Sequence, residues 1–131
     1  MRAVAFLAIG LILSFPSVAF ACRNVIPAMT EQQKFALADI VVIGIVAEMK
    51  EAPDLEKDMN WPRVYRISMN IQKYLKGSGP GALQLVDTTG TDCDPEESHI
   101  PLYRNSPSST WRVFIGKRKE LLWVDHAERS K

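Results

Sequence analysis

The sequence predicts a mainly β domain, a small barrel closed or nearly closed from five strands behind one short helix. Residues Val64 to Leu75 alternate apolar and polar positions with a period of two, the mark of a half-buried strand. Four other β-branched or aromatic runs follow or precede it, each bounded by Gly, Pro or charged turn residues. Only one segment carries a helix start. Closure of the sheet hides the strand edges that an exported chain cannot leave bare, and an open sandwich is the structural rival.

Residues 1–21 read as a secretory leader. Arg2 supplies the positive start, Ala3 to Phe15 the apolar stretch, and Pro16 breaks it before Ala19-Phe20-Ala21, a small-x-small cleavage site. The apolar run falls short of the roughly 20 residues a bilayer span needs. Residues 22–131 are then one domain, secreted or periplasmic, with no membrane span. Cleavage leaves Cys22 first. Lipid attachment to Cys22 is the alternative, with Ala19 and bulky Phe20 standing where such signals prefer Leu and a small residue.

Charge narrows the partner classes. The 131-residue chain has a formal charge of +1, and losing Arg2 with the leader makes the remainder neutral. A neutral chain lacks the field that holds a nucleic-acid backbone, so no nucleic-acid partner is expected. The two cysteines, Cys22 and Cys93, both survive cleavage into an oxidising compartment, where a disulfide persists. Such a bridge closes a loop of about 70 residues, worth ~4 kcal/mol by the loop-entropy argument. No CxxC or HxxxH spacing accompanies the pair, which argues against a metal site built on it.

The elements follow in order. Thr30-Glu31-Gln32-Gln33 is a capping box that starts a helix running to about Asp39, with Phe35, Leu37 and Ala38 as its apolar side. Ile40 to Met49 is apolar on both faces, as a central strand is, and Gly44 within it marks a bulge or a close backbone approach. Lys50 to Pro62, with Pro53, reads as a loop. After the alternating strand the phase slips at Lys73-Tyr74-Leu75, as a bulge would make it. Gly77 to Gly81 is a turn and Ala82 to Asp87 a strand. Thr88 to Ser109 reads as a long irregular stretch that the disulfide ties down. Trp111 to Ile115 and Leu121 to Val124 make a final pair around Gly116-Lys117-Arg118-Lys119, with Trp111 and Trp123 as core positions.

Several motifs resemble the netrin-like domain family, whose barrel is shared by the tissue inhibitors of metalloproteinases. They are the N-terminal Cys22, the run Phe35 to Gly44, the strand end Tyr74-Leu75-Lys76-Gly77, Asp87-Thr88-Thr89-Gly90-Thr91-Asp92-Cys93, and Trp111 to Gly116. The resemblance implies a five-stranded OB-like barrel. It also implies a mode of action: the α-amine and carbonyl of Cys22 chelate a protease's zinc, with Cys93 as the clamp. In that mode Cys22, Arg23, Asn24, Thr91 and Asp92 contact the protease. An α-amine with a pKa near ~7.7–8.0 is partly neutral, hence able to ligate zinc, at physiological pH. The inhibitors carry Cys-x-Cys, and position 24 here is Asn. Arg23 would also bring a cation into an apolar specificity pocket, a costly burial.

Other chemistry has thinner support. His99 follows Asp92, Asp94, Glu96 and Glu97, so the acidic loop 92–99 could serve a small metal-dependent enzyme. The spacing fits no EF-hand, and a solvated loop is the plainer reading. There is no GxSxG. His126 is expected to be exposed, and Asp39 to cap or turn the helix end. Arg112, Lys117, Arg118 and Lys119 give the last hairpin a local positive charge, which fits protection against edge pairing better than contact with a polyanion. The sequence therefore predicts an exported, disulfide-tethered, non-catalytic binding domain, with a protein partner (a metalloprotease in the inhibitor reading), no cofactor and no catalytic residues.

Overall fold

A computed structural model describes residues 28–56, 63–88 and 99–131. The expected leader, Cys22, Arg23, Asn24, Trp61, Thr91, Asp92, Cys93, Asp94, Glu96 and Glu97 lie outside the described residues, and with them the expected disulfide and the expected zinc-chelating contact.

Five strands close into a barrel in the order β1-β2-β3-β5-β4, with β4 returning to β1. They are β1 (Ile40–Glu51), β2 (Val64–Lys76), β3 (Ala82–Thr88), β4 (Thr110–Arg118) and β5 (Leu121–Arg129). Three short helices accompany them: α1 (Glu31–Leu37), α2 (Pro53–Glu56) and α3 (His99–Asn105). All neighbouring strands are antiparallel except β3 and β5, which meet in parallel at the single pair Val86↔Trp123. This strand order, with a helix between β3 and β4, is the OB-like barrel that the resemblance implied, and it removes the sandwich alternative.

The alternation that predicted β2 is the alternation of its burial. Tyr65, Ile67 and Met69 point into the barrel, where they meet Ile40 and Val42 of β1, Leu85 of β3, Trp111, Val113 and Ile115 of β4, and Val124 of β5. Gly44 acts as predicted. A Cβ there would lie 2.5 Å from the backbone oxygen of Asn70 and 2.9 Å from Cγ of Met69. The pairing of β1 with β2 shifts register beside it, between Ile43 and Gly44, and again between Val41 and Val42, where Leu75 is passed over. That second shift is the phase slip seen in the sequence.

Four expectations are corrected. The stretch Thr88 to Ser109 contains α3; its Pro101 sits in the first turn, where a missing N–H costs nothing. Ile100 and Tyr103, three residues apart, turn one face of α3 into the barrel core. The presumed loop from Lys50 contributes Lys50 and Glu51 to β1, then makes the turn α2. Arg66 pins α2 to β2 with a two-pronged bond to Asp54 (2.8 and 2.6 Å). The last hairpin turns at Lys119 and Glu120, both at positive φ (48° and 64°), so Gly116 to Arg118 stay in β4 and both strands are longer than expected. His126 is half-buried, with its ring edge-on to Phe114 at 6.2 Å.

Replacing Gly44 by Ala should cost about 1–3 kcal/mol, because its Cβ meets backbone that cannot swing aside. Denaturant unfolding checks this: the midpoint should fall while the slope stays constant.

Candidate functional site

The described residues offer two places to look, a buried polar cluster where α3 stops one end of the barrel and a grooved surface around α1. The cluster is centred on Asp87, at the end of β3 and only 4% exposed. Its Oδ2 accepts from Nδ1 of His99 (3.1 Å) and from the hydroxyl of Tyr103 (3.2 Å), and its Oδ1 from the amide of Thr88 (2.8 Å). Burial first, then the adjacent Asp87 charge, pushes the Tyr103 phenol well above the usual tyrosine value, so it remains a donor. Its ring stands edge-on to Trp111, with centroids 5.1 Å apart. Arg104, one residue on, lies over the ring of Tyr65.

This corrects the reading of His99. It is 8% exposed and holds Asp87, so it belongs to the packing of α3 and not to a solvated acidic loop. An Asp–His pair is an arrangement that can position a general base. The two grooves that flank α1 are lined by other residues than Asp87, His99 and Tyr103. Among the described residues no group of three or more His, Cys, Asp or Glu is placed to hold a metal ion.

The α1 surface is built differently. Thr30 caps the helix as predicted, accepting from the amide of Gln33 (3.2 Å) while the Gln33 side chain accepts from the amide of Thr30 (2.9 Å). At the other end Lys76 of β2 donates to the carbonyls of Phe35 (2.8 Å) and Ala36 (3.1 Å), supplying donors that the last turn lacks. Asp39 then fixes the exit of the helix. Its amide donates to the carbonyl of Ile115 (2.9 Å), and its carboxylate accepts from the amide of Lys117 (2.7 Å). The helix is thus capped by its own side chains at its start and tied to β2 and β4 at its exit.

What α1 does not do is bury an apolar face. Ala38, just past it, packs on Val41 and Phe114, but Phe35 is 41% and Leu37 71% exposed. Positions 35 and 37 lie about 200° apart on a helix, so both cannot face the barrel. That spacing was the available signal that one side chain must point outward. Grooves run along both flanks of the helix. One, of about 620 Å³, is lined by Phe35, Ala36, Leu75 and Phe114 with Glu31 and Arg112 at its edge. The other, of about 300 Å³, lies between α1 and the β4–β5 hairpin, with Met29, Leu37 and Phe114 as its apolar lining.

The basic residues expected to act together are divided by the fold. Arg112 sits on the outer face of β4, 3.5 Å from the Glu31 carboxylate and 3.2 Å from that of Glu128 on β5. Arg118 pairs with Asp125 and lies over the ring of Trp123 (5.6 Å). Lys117 and Lys119 are exposed at the hairpin tip. Trp111 is in the core as expected, while Trp123 is half-buried on the outer face beside Val86 and Leu121. No helix of the described residues is long and apolar enough to cross a membrane. No protein-family model matches the chain, and no curated protein matches it.

Two outcomes test this account. Tyr103→Phe should cost roughly 1 kcal/mol, since Asp87 keeps its other donors, whereas Asp87→Ala strands buried donors at about 1–3 kcal/mol for each; paired unfolding curves measure both. Glu128 gives a pH test. Burial, then the hydrogen bond to and the charge of Glu31, raise its pKa, against the pull of Arg112 and Lys34. A raised carboxyl stabilises the fold below its unfolded pKa and loses that contribution as pH rises through the folded value. Glu128→Gln keeps the uncharged state, so its stability relative to the parent should increase between about pH 4 and pH 7, the range above the ordinary carboxylate pKa.

Proposed function

We propose that the chain is an exported, disulfide-tethered binding domain that engages a protein partner through the α1 side of its barrel and does not turn over a substrate. The observation that carries this reading is the exposure of Phe35 and Leu37 on a helix whose exit is anchored to β2 and β4. A helix held this firmly, yet with two large apolar side chains in solvent and a groove on either flank, is arranged as a contact surface. It also lies just beyond the Cys22 end that the sequence singled out. Leader cleavage and a Cys22–Cys93 bridge, which would tether that end, belong to the same proposal.

The test uses the exported protein with a photo-cross-linking residue at Gln32, beside the larger groove, in cells that produce it. A discrete cross-linked product, lost in the Phe35→Ser/Leu37→Ser variant while its unfolding midpoint stays the same, is the expected result. Absence of any product, or one indifferent to those two changes, overturns the α1 assignment. Inhibition of zinc proteases that vanishes on acetylating the Cys22 amine would move the reading to the inhibitor.

A further inference from the structure

We propose that Glu31, Arg112 and Glu128 form a pH-sensitive latch on the start of α1, shut while Glu128 holds a proton and loosened when that proton leaves to water. This names a regulation of the α1 surface, and it rests on the binding reading only for its effect on a partner. Three elements meet in the latch. Nη1 of Arg112, on β4, lies 3.5 Å from Oε2 of Glu31 on α1 and 3.2 Å from Oε1 of Glu128 on β5. Two carboxyl groups therefore share one guanidinium nitrogen, and the side chains of Glu31 and Glu128 are also hydrogen-bonded to each other. Such a bond needs a proton on one of them, because two carboxylates offer only acceptors.

Glu128 is the one placed to keep that proton. Its side chain is less exposed than that of Glu31. Burial first, then the hydrogen bond to and the charge of Glu31, favour its protonated form, while Arg112 and Lys34 favour the ionised one. Among the described residues, Glu31 and Lys34 from α1 and Arg112 from β4 are the charged groups that bear on it. The helix is built to respond. It has seven residues and buries none of them, and so short a helix is marginal without outside support. Its exit is fixed by Lys76 and Asp39, whereas its start is capped from within and reaches the strands through Glu31. Once Glu128 ionises, the bond between the carboxyl groups is lost and two like charges divide one guanidinium. The start of α1 then swings on its fixed exit. Glu31 lines the larger groove from the helix and Arg112 from β4, so that motion opens it. Acid shuts the groove and neutral pH opens it.

The experiment records amide hydrogen exchange and side-chain carboxyl carbon shifts of the exported protein by NMR between about pH 4 and pH 7. The Lys34 amide, which donates to the Thr30 carbonyl (3.0 Å), reports the first turn. Its protection should fall by about threefold to tenfold as pH rises through the step at which the Glu128 carboxyl titrates. The Glu31 carbon should show the same step, since a coupled pair titrates together. Glu128→Gln keeps a donor toward Glu31, so protection should stay high at every pH in that variant, and β1 and β2 should keep theirs in both proteins. Protection that is indifferent to pH, a fall that persists in Glu128→Gln, a step that follows neither carboxyl carbon, or strands that open with the helix overturns the latch. The two readings fail separately. A Gln32 cross-link as strong in Glu128→Gln as in the parent overturns the regulation and leaves the binding surface standing. An intact latch without any cross-link overturns the binding reading alone.

Discussion

Closure of the barrel depends on β1 pairing along both edges. Its first half is bonded to β2 on one side and β4 on the other, with Ile40 opposite Ile115 and Val41 opposite both Lys76 and Phe114. A strand hydrogen-bonded on both sides must be apolar on both faces if one face lines the barrel and the other lies under a helix, and Ile40–Val41–Val42 meets that demand. Gly44 marks where the demand becomes acute, because the chain bends there against Asn70 and Met69 with no room for a side chain. Inside, Val42 joins the barrel core; outside, Val41 and Phe114 support Ala38 and so seat α1. The candidate surface is a consequence of what the outer face of this one strand requires.

The two helices that matter stop different parts of the molecule by different means. Of the two, α3 is a plug. It drives Ile100 and Tyr103 into the end of the core and satisfies the buried Asp87 carboxylate with side chains of its own first and second turns. A buried carboxylate without those donors would be costly, so the polar cluster specifies where α3 sits. By contrast α1 is a strap, held by Lys76 and Asp39 at its exit with little apolar burial of its own. Position held by polar ties leaves the apolar side chains available for another molecule.

Much of the fold was legible because its signals are local. The alternation in β2, the Thr30–Gln33 capping box and Gly44 each declare themselves within a few residues, and each is found where the sequence put it. The features that escaped are settled by distant contacts. A Pro in the first turn and turn-rich flanks concealed α3, whose reason for being helical is a carboxylate on β3 and an open barrel end. His99 looked like part of an acidic run because its partner, Asp87, lies twelve residues back and on another element. The four basic residues of the last hairpin looked like one patch, yet a β-strand sends Arg112 to a pair of glutamates well away from the tip. The α1 surface was half legible: the apolar residues were visible, but not that the barrel has room for only one side of so short a helix.

The pairing of Ile40 with Ile115 has a kinetic side. Those residues are separated by most of the domain, so the β1–β4 seam forms only after a long stretch of chain has been gathered, at a loop-closure cost that local pairs such as β4–β5 do not bear. Folds dominated by such distant pairings reach the native state in milliseconds to seconds, slower than helical domains of equal size. During that interval the β4-facing edge of the most apolar strand is unpaired and able to pair with another chain. A newly made chain is therefore most vulnerable to self-association before its last seam closes.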